Sequence, residues 1–257
     1  MTALRYALSD TAVLALRNLR RIPRAPDLLI SFTLQPLMFV LLFVYVFGGA
    51  IATPGHDYVD FVIPGLVTQT MFFGGFVTAL GLADDLKKGL IDRFRSLPVS
   101  RGAVLGGRTL ADVATNALSL AIMVGVGLAI GFSFDASALE IVAGILLMLL
   151  FGYVFSWVFA LFALISSSAE AAQAIGFLVI FPLTFISSAF VPIESLPDGL
   201  QQVAEVNPFT VAVDAMRALW IGDPAGNSIW GAVAWSLGLI AVVSWVSVQR
   251  YKRAVSA

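Results

Sequence analysis

The sequence predicts an all-α integral membrane protein with six transmembrane helices. Of its 257 residues, 59% are hydrophobic and only 12% are charged, which is more apolar than a soluble core requires. A helix crosses the roughly 30 Å of bilayer hydrocarbon with about 20 residues, and apolar stretches of that kind recur along the chain. They occupy 28–50, 60–83, 110–132, 139–165, 172–191 and 229–248. We interpret the whole chain, 1–257, as one transmembrane domain.

The basic residues predict the orientation of these spans. Of the 15 lysines and arginines, all but Arg217 lie in the amino-terminal segment, in the loop between spans two and three, or in the tail. Loops rich in lysine and arginine remain in the cytoplasm, so both termini are predicted to be cytoplasmic. The amino-terminal segment lacks the small-residue cleavage site of a signal peptide, and the first span is therefore expected to be retained.

The segment 1–27 is predicted to form an interfacial helix before the first span. Its apolar residues recur at helical spacing, while arginines occupy the other faces, a pattern typical of a helix that lies in the membrane plane. These apolar residues are Leu4, Leu8, Ala12, Ala15, Leu16, Leu19 and Ile22. Two interpretations stay open: a simple anchor, or a helix that also transmits motion into the first span.

The cytoplasmic loop at 84–101 is predicted to contain an amphipathic helix. Its apolar stripe runs along a segment otherwise made of lysine, aspartate and arginine. The stripe consists of Leu86, Leu90, Phe94 and Leu97. Gly89 interrupts the helical pattern and Pro98 ends it. The stripe indicates either a docking site for a cytoplasmic partner or anchoring in the membrane interface.

The outer loop between spans five and six, at 192–220, is predicted to fold back towards the membrane as a re-entrant helical hairpin. Pro192 and Pro197 interrupt the chain after span five, and Asn207 with Pro208 separates two short helical patterns. Irregular backbone at membrane depth is tolerated only where protein surrounds it.

Nothing in the sequence predicts a catalytic, cofactor or metal site. There is no cysteine, and the sole histidine, His56, lies in the first outer loop. The segment 102–109 approaches the phosphate-binding pattern GxxxxGK[ST], but Arg108 replaces the lysine and no strand precedes it. The basic segments fit the anionic cytoplasmic leaflet, so no nucleic acid partner is expected.

Ion-coupled transport is disfavoured by the placement of the acidic residues. A carrier driven by protons or ions normally needs an ionisable group near the bilayer midplane. The acidic residues nearest the predicted spans are interpreted as lying at or beyond span ends. They are Asp84, Asp112, Glu140, Glu170 and Asp214.

Uncharged amides and phenylalanines inside the spans are candidates for a transport path. Burying an amide in hydrocarbon without a partner costs about 2–7 kcal/mol, which makes such residues informative. The candidate residues are Gln35, Phe39 and Phe43 in span one, and Gln69, Phe72, Phe73 and Phe76 in span two. This surface would suit a flat, apolar solute that forms hydrogen bonds. The alternative is that these residues make helix contacts or face lipid. Phe177, Phe181 and Phe185 repeat the pattern in span five.

Several motifs resemble the type-2 ATP-binding-cassette (ABC) permeases, and within them the drug-resistance branch of daunorubicin exporters. The resemblance covers nearly the whole chain. The matching segments are Tyr-Val-Asp-Phe-Val-Ile-Pro-Gly at 58–65, Lys-Gly-Leu-Ile-Asp-Arg-Phe-Arg-Ser-Leu-Pro-Val-Ser-Arg at 88–101 and Gly-Gly-Arg-Thr-Leu-Ala-Asp at 106–112, followed by Phe-Pro-Leu at 181–183, Ser-Ser-Ala-Phe-Val-Pro at 187–192, and Asn-Pro-Phe at 207–209 with Arg217.

The resemblance implies an assembly with separate ATPase subunits. Two permease protomers, identical or related, would pair, and each would receive one copy of an ABC ATPase on its coupling helix. The docking residues would be Leu86, Leu90, Ile91, Asp92, Arg93, Phe94, Arg95 and Leu97. Asp92 departs from the family, which usually carries glutamate there. ATP and Mg²⁺ would bind to the ATPase, and no cofactor is expected on this chain.

The function implied by the resemblance is export of a hydrophobic drug or antibiotic-like compound across a bacterial cell membrane. Two alternatives remain: export of a lipid or polysaccharide by the same machinery, and a channel or ion-coupled carrier that works without ATP. A polysaccharide exporter would be expected to show a continuous polar and aromatic path. A channel or ion-coupled carrier would transport without ATP hydrolysis.

Overall fold

The computed structural model describes residues 37–51, 53, 55–87 and 101–256, together with Thr11, Val13, Ala15, Leu16 and Leu34. This part of the chain is helical and holds no strand, which confirms the all-α prediction. In order, the helices are α1 (Leu37–Phe47), α2 (Tyr58–Phe73), α3 (Gly75–Lys87), α4 (Arg101–Ala129), α5 (Ala138–Ile165), α6 (Ala169–Phe185), α7 (Asp198–Val206), α8 (Pro208–Trp220) and α9 (Ser228–Ser256). The last part of α1, Leu42–Phe47, is π-helical, and Ile193–Ser195 forms a 3₁₀ turn.

Among the residues that the structure describes, four helical stretches are long and apolar enough to cross a membrane. They are Tyr58–Ala83, Leu105–Ala129, Ala138–Ile165 and Ser228–Tyr251, over the predicted spans two, three, four and six. At the predicted spans one and five, the described helices α1 and α6 are apolar but shorter. By length and composition, the chain is a multi-pass membrane protein.

The predicted span at 60–83 consists of two helices that meet at Gly74. A Cβ atom at Gly74 would lie 2.2 Å from Oδ1 of Asn116 on α4, so only glycine allows this approach. Pro64 lies inside α2, where its missing N–H removes one helical hydrogen bond. The hydroxyl of Thr68 donates to the Pro64 carbonyl at 2.8 Å. Beyond Gly74, α3 packs against α5 and α6.

Helix α5 forms the centre of the fold. It begins with a capping box, in which Ser137 and Glu140 bond each other's backbone amides, and it packs against α2, α3, α4, α6, α8 and α9. Phe159 on α5 fits against glycines of two neighbouring helices: a Cβ atom would lie 2.2 Å from its ring at Gly75 and 2.3 Å at Gly176. Small residues therefore allow close packing around this ring.

The segment 192–220, which the sequence predicts to be an outer hairpin, contains two short helices, α7 and α8. Asn207 lies between them and caps α8, because its Oδ1 accepts the Phe209 amide at 2.9 Å. Its Nδ2 donates to the carbonyls of Leu183 and Ile186 at 2.7 and 2.6 Å. One side chain thus ties the start of α8 to the end of α6.

Some predicted segments fall outside the described residues. They include most of the interfacial helix at 1–27, the stretch 88–100 of the coupling segment, and Gln35. Helix α3 reaches Lys87, so the backbone of Leu86 is helical, although its side chain is not described.

The placement of Asp112 differs from the sequence-based prediction. The apolar part of α4 begins at Leu105 rather than at 110, which places Asp112 within it at 6% exposure. Asp112 therefore lies inside the apolar part of α4, about two turns from its start, and its interpretation as a residue at or beyond a span end is corrected. Hydropathy alone placed the boundary too late because the first turns of α4 also contain Arg108.

Candidate transport cavity

A cavity of about 480 Å³ opens between α1, the junction of α2 with α3, α4 and α6. Its volume lies in the range typical of sites for small organic molecules. Its wall combines four phenylalanine rings with amide, hydroxyl and carboxylate groups. The lining residues are Phe39, Gln69, Thr70, Phe73, Gly74, Phe76, Ser119, Glu170, Gln173, Ala174 and Phe177.

Residues on both sides of Gly74 form one side of the cavity. Gln69 and Phe73 lie one turn apart on α2, and Phe76 follows on α3. The rings of Phe73 and Phe76 stack with centroids 5.4 Å apart. Phe76 also packs on Phe159 of the core at 4.5 Å, which fixes this wall of the cavity.

Helix α6 supplies the opposite wall. Its amino terminus is capped by Ser168, whose hydroxyl accepts the Ala171 amide at 3.1 Å. Glu170, Gln173 and Phe177 then follow at i, i+3 and i+7, on one helical face that lines the cavity. Phe177 meets Phe73 across the cavity with ring centroids 6.2 Å apart.

A continuous series of aromatic ring contacts runs from the cavity wall on α2, along α6, to the cavity wall on α1. Successive ring centroids are separated by 4.2 to 6.2 Å. From α2 onward, the rings in contact are Phe73, Phe177, Phe181, Phe185, Phe190, Phe43 and Phe39. Polarizable rings therefore surround the space between α1, α2 and α6.

The structure separates the predicted path residues into two groups. Four of them line the cavity: Phe39, Gln69, Phe73 and Phe76. Phe43 and Phe72 instead lie in the core, because Phe43 stacks on Phe190 at 4.2 Å and Phe72 on Phe155 at 3.6 Å. Gln35 lies outside the described residues.

The sequence analysis missed the polar groups that α4 and α6 contribute to the wall. Glu170 was interpreted as a span-end residue, and Gln173 and Ser119 were not singled out. The spacing of Glu170, Gln173 and Phe177 was a usable signal, since residues at i, i+3 and i+7 share a helical face. The contribution of Ser119 depends on helix packing and has no local signal.

A polar cluster joins α3 to α4 beside the cavity. The hydroxyl of Thr78 donates to Oδ2 of Asp112 at 2.5 Å. Arg108 donates to Oδ2 of Asp85 at 3.3 Å and to the Val77 carbonyl at 3.1 Å. Its guanidinium lies over Gly81, where a Cβ atom would be only 1.8 Å from Nη2. Polar groups thus connect the helix that enters the coupling segment to the helix that leaves it.

A buried arginine, Arg217, connects three elements of the fold. Arg217 on α8 is 4% exposed, and its Nη2 donates to the carbonyls of Phe61 and Ser188 at 3.0 and 2.7 Å. Burial lowers the pKa of Arg217 to about 10, with the carboxylate of Asp214 acting against this, so the guanidinium stays charged at neutral pH. Arg217 thereby links α8, α2 and the segment after α6.

Within the described part of the chain, no three histidine, aspartate or glutamate side chains are grouped so that they could hold a metal ion. The site combines a cavity of a size typical for small organic molecules with polar connections between helices. An all-helical, multi-pass fold with these features defines a membrane permease.

The chain belongs to the ABC-2 type transporter family, whose pattern matches residues 10–220. It is 34% identical over 246 residues to the daunorubicin resistance ABC transporter permease protein DrrB1 of Streptomyces coeruleorubidus, covering 96% of this chain and 87% of the relative. It is 24% identical over 253 residues to a protein named probable doxorubicin resistance ABC transporter permease protein DrrC from Mycobacterium tuberculosis, covering 98% and 91%. A third relative is named probable multidrug ABC transporter permease YbhR, from Escherichia coli K12, at 21% over 207 residues, covering 79% and 55%.

Family membership makes this chain the permease component of an ABC transporter and not its ATPase. It implies a partner ABC ATPase and a transported substrate. The resemblance recognised in the sequence motifs is therefore confirmed.

Proposed function

We propose that this chain is the permease subunit of an exporter that moves a hydrophobic drug or antibiotic-like compound out of a bacterial cell. The observation that carries the proposal is the cavity of about 480 Å³, lined by four phenylalanines and two glutamine amides. Such a wall suits a flat, apolar compound with a few hydrogen-bonding groups. The names of the relatives, which refer to daunorubicin and doxorubicin resistance, support the same class of cargo.

The energy would come from ATP hydrolysed on separate subunits, with ATP and Mg²⁺ bound there. Two permease protomers, identical or related, would pair, and two copies of the ATPase would dock on their coupling segments. Phe177, Leu178 and Phe181 of α6 are exposed in the single chain, as are Met38 and Leu42 of α1. This exposure supports contacts with lipid or with a second protomer.

The proposed topology has six spans with cytoplasmic termini. The short helices α1 and α6 would form parts of spans one and five, and α7 with α8 would form the outer re-entrant hairpin. In this orientation the cavity residues of α2 and α3 lie towards the cytoplasmic half. Cargo would therefore enter from the cytoplasm or the inner leaflet and leave by alternating exposure of a path between the protomers.

The coupling route is proposed to run through α3 and α4. Both helices border the segment 84–101, and both contribute to the cavity wall, through Phe76 and Ser119. Closure of the ATPases would move this segment and change the width of the cavity. The polar contacts of Arg108 with α3 would make the two helices move together.

The transport experiment uses inside-out membrane vesicles that contain this chain and its partner ATPase. We expect ATP-dependent accumulation of doxorubicin, measured by its fluorescence, and none with a non-hydrolysable nucleotide. Uptake that is equal with and without hydrolysis would contradict the proposal and favour a channel or carrier. ATP hydrolysis stimulated by a lipid or polysaccharide, but not by hydrophobic drugs, would assign the same machinery to another cargo.

The docking experiment tests the coupling segment. Leu90→Asp combined with Phe94→Asp places two carboxylates on the predicted apolar stripe, so co-purification of the ATPase should be lost while membrane insertion remains. Ser96→Asp is the control, since Ser96 lies on another face of the same predicted helix. Retained ATPase binding in the double variant would remove this stripe from the interface.

A further inference from the structure

We propose that His56 and Asp223 form an outer gate contact, which must separate in each transport cycle and which acid on the outer side strengthens. This inference rests on the proposed function, which makes the protein an exporter and places both residues on the outer side of the membrane. Neither residue lies in the segments that match the family motifs. Three properties support the inference: the geometry of the contact, the packing on its two sides, and the charges around it.

The contact joins two segments that are distant in sequence. Nε2 of His56 and Oδ1 of Asp223 lie 2.8 Å apart, although the residues are separated by 167 positions. Their side chains are 28% and 31% exposed, so water and protons reach both of them. His56 lies between α1 and α2, and Asp223 lies between α8 and α9. The contact therefore connects the loop after α1 to the segment before α9.

The backbone gives each of the two loops a defined shape at the contact. Gly55, directly before His56, has a φ of 85°, and Gly222, directly before Asp223, has a φ of 74°. Both values lie in the left-handed region, which favours glycine. The hydroxyl of Thr53 also donates to the His56 carbonyl at 2.7 Å. Each member of the pair thus follows a turn that a glycine makes possible.

The two sides of the contact differ in their packing. Before α9 the chain is held firmly, because Trp220 is fully buried and its carbonyl accepts the Asp135 amide at 2.9 Å. The end of α1 is more open, since Tyr45 and Val46 are 67% and 66% exposed. The contact thus attaches the loop after an exposed helix to a firmly packed segment. If it breaks, the loop after α1 can move away while the core stays intact.

The charged groups on the elements that meet at the contact are mostly acidic. They are Asp57 in the same loop as His56, Asp60 on α2, Asp135 before α5, Asp214 and Arg217 on α8, and Asp223 itself. Histidine side chains gain a positive charge as the pH falls from about 8 to about 5. Carboxylates attract an imidazolium more strongly than a neutral imidazole. The contact between His56 and Asp223 is therefore stronger in acid.

The pair also admits a purely structural explanation, which the experiment must separate from gating. Exposed ion pairs add little to stability, so a merely structural contact would be a minor one. The two roles differ in the effect of a permanent link. A gate that cannot open stops transport, whereas a structural contact that cannot open leaves transport unchanged.

The first experiment links the two positions reversibly. Because the natural chain has no cysteine, His56→Cys combined with Asp223→Cys introduces the only two thiols of this subunit. The complex with the partner ATPase is treated with a short bis-methanethiosulfonate reagent and reconstituted into liposomes. We expect the linked protein to lose most of its ATP-driven accumulation of doxorubicin and to recover it when dithiothreitol releases the link. Equal accumulation before and after release would overturn the inference, as would the absence of a link between two cysteines that each react with a monofunctional reagent.

The control links two positions within one helix. Asp198 and Gln202 are exposed and one turn apart on α7, so a link between cysteines at these positions joins no separate elements. The Asp198→Cys, Gln202→Cys protein should accumulate doxorubicin normally after the same treatment. An equal loss in both proteins would assign the effect to the reagent and overturn the inference.

The second experiment measures the response to pH without transport. Spin labels are attached at Ala50→Cys, in the loop after α1, and at Asn227→Cys, in the segment before α9, and their distance distribution is measured in lipid nanodiscs. Between about pH 5 and about pH 8, the ratio of long to short distances should rise about two- to fivefold. His56→Gln keeps a side-chain donor but cannot titrate, so its distribution should not depend on pH. An equal response in the proteins with His56 and with His56→Gln, or none in either, would overturn the role of acid.

The results are separable from the proposed function. A pH-dependent distance that requires His56, in a protein without ATP-driven accumulation, would support the contact and contradict the export proposal. ATP-driven accumulation that continues while the two positions are linked would leave export intact and overturn the gate.

Discussion

Arg217 on α8 contacts both the backbone carbonyl and the aromatic ring of Phe61 on α2. Nε and Nη2 of Arg217 donate to the Phe61 carbonyl at 3.1 and 3.0 Å, and the guanidinium lies 3.6 Å from the centre of the Phe61 ring. The same guanidinium reaches the carbonyls of Ser188 and Ala189. Ala189 in turn approaches α2 so closely that a Cβ atom at Gly65 would lie 2.3 Å from its oxygen. The guanidinium of Arg217 and the close approach at Gly65 thus hold α8 and the segment after α6 against α2.

Replacement of Arg217 should destabilise the fold. Arg217→Ala would remove the donors of buried carbonyls and leave Asp214 without its cation, at a cost of about 2–4 kcal/mol. Arg217→Lys should be intermediate, because an ammonium keeps the charge but cannot reproduce the fork of donors. The order of stability of the variants is measured by thermal unfolding of the detergent-purified protein. Arg250→Ala, at an exposed position on α9, is the control and should leave the Tm unchanged. Equal Tm values for all three variants would contradict the role assigned to Arg217.

Gly144 should not tolerate even one added methyl group. A Cβ atom there would lie 2.3 Å from Nε1 of Trp220, a fully buried indole that donates to the Ile141 carbonyl at 3.3 Å. Because the indole has no room to move, Gly144→Ala should separate α5 from α8 at a cost of about 1–3 kcal/mol. Gly125→Ala is the same substitution at a site with nothing within 4 Å, so its Tm should be unchanged or slightly higher. A Gly144→Ala protein as stable as the Gly125→Ala protein would show that the helices adjust freely.

Two adjacent phenylalanines should separate stability from transport. Phe72 stacks on Phe155 in the core, whereas Phe73 faces the cavity. Phe72→Ala should lower stability by about 2–4 kcal/mol, because it leaves a void among packed rings. Phe73→Ala should fold with a near-normal Tm but lower the rate of ATP-driven doxorubicin accumulation. The two variants, measured in parallel for Tm and for transport per folded protein, provide each other's control. The opposite pattern would exchange the roles of the two rings.

This pair of residues shows why the fold class was predictable from sequence and the site only partly so. Apolar stretches of membrane-spanning length indicate helices by composition alone, and the described part of the structure contains helices and no strand. The distinction between Phe72 and Phe73 has no such signal. In α2, 13 of 16 residues are buried. The helix therefore has no clear division into a buried and an exposed face that would reveal the orientation of either ring. Which ring faces the cavity depends on contacts with neighbouring helices, since Phe72 stacks on Phe155 of α5 and Phe73 meets Phe177 of α6.

Contacts between segments that are distant in sequence account for the remaining differences between the sequence-based predictions and the structure. Arg217 stood out in the sequence as the one basic residue in the outer loops and as part of a family motif, yet its principal partner, Phe61, is 156 residues away. Asp112 was assigned to a span end because hydropathy cannot anticipate that Thr78, on another helix, would bond its carboxylate. Glu170 was assigned in the same way, although packing brings its turn to Ser119 and Gln69. Composition identifies helices, whereas tertiary contacts decide which polar residues form a site.

The contact of Arg108 with α3 should determine how efficiently ATP hydrolysis drives transport. Arg108→Ala would remove the bonds to Asp85 and Val77, so α4 could no longer follow a movement of α3. Gly81→Ala should give the same defect by a different route, since its Cβ atom would lie 1.8 Å from Nη2 and displace the guanidinium. Both variants should retain ATPase binding and hydrolysis but move fewer doxorubicin molecules per ATP.

Gly106→Ala is the control for this effect. It adds a methyl group two residues from Arg108, but the closest atom to that methyl, on Thr11, is at an ordinary contact distance of 3.5 Å. Its transport-to-hydrolysis ratio should therefore match that of the unmodified protein. Because side-chain removal at Arg108 and side-chain addition at Gly81 share only the loss of this contact, a common drop in the ratio would identify the contact itself as the cause. Unchanged ratios in both variants would mean that the movement reaches the cavity by another path.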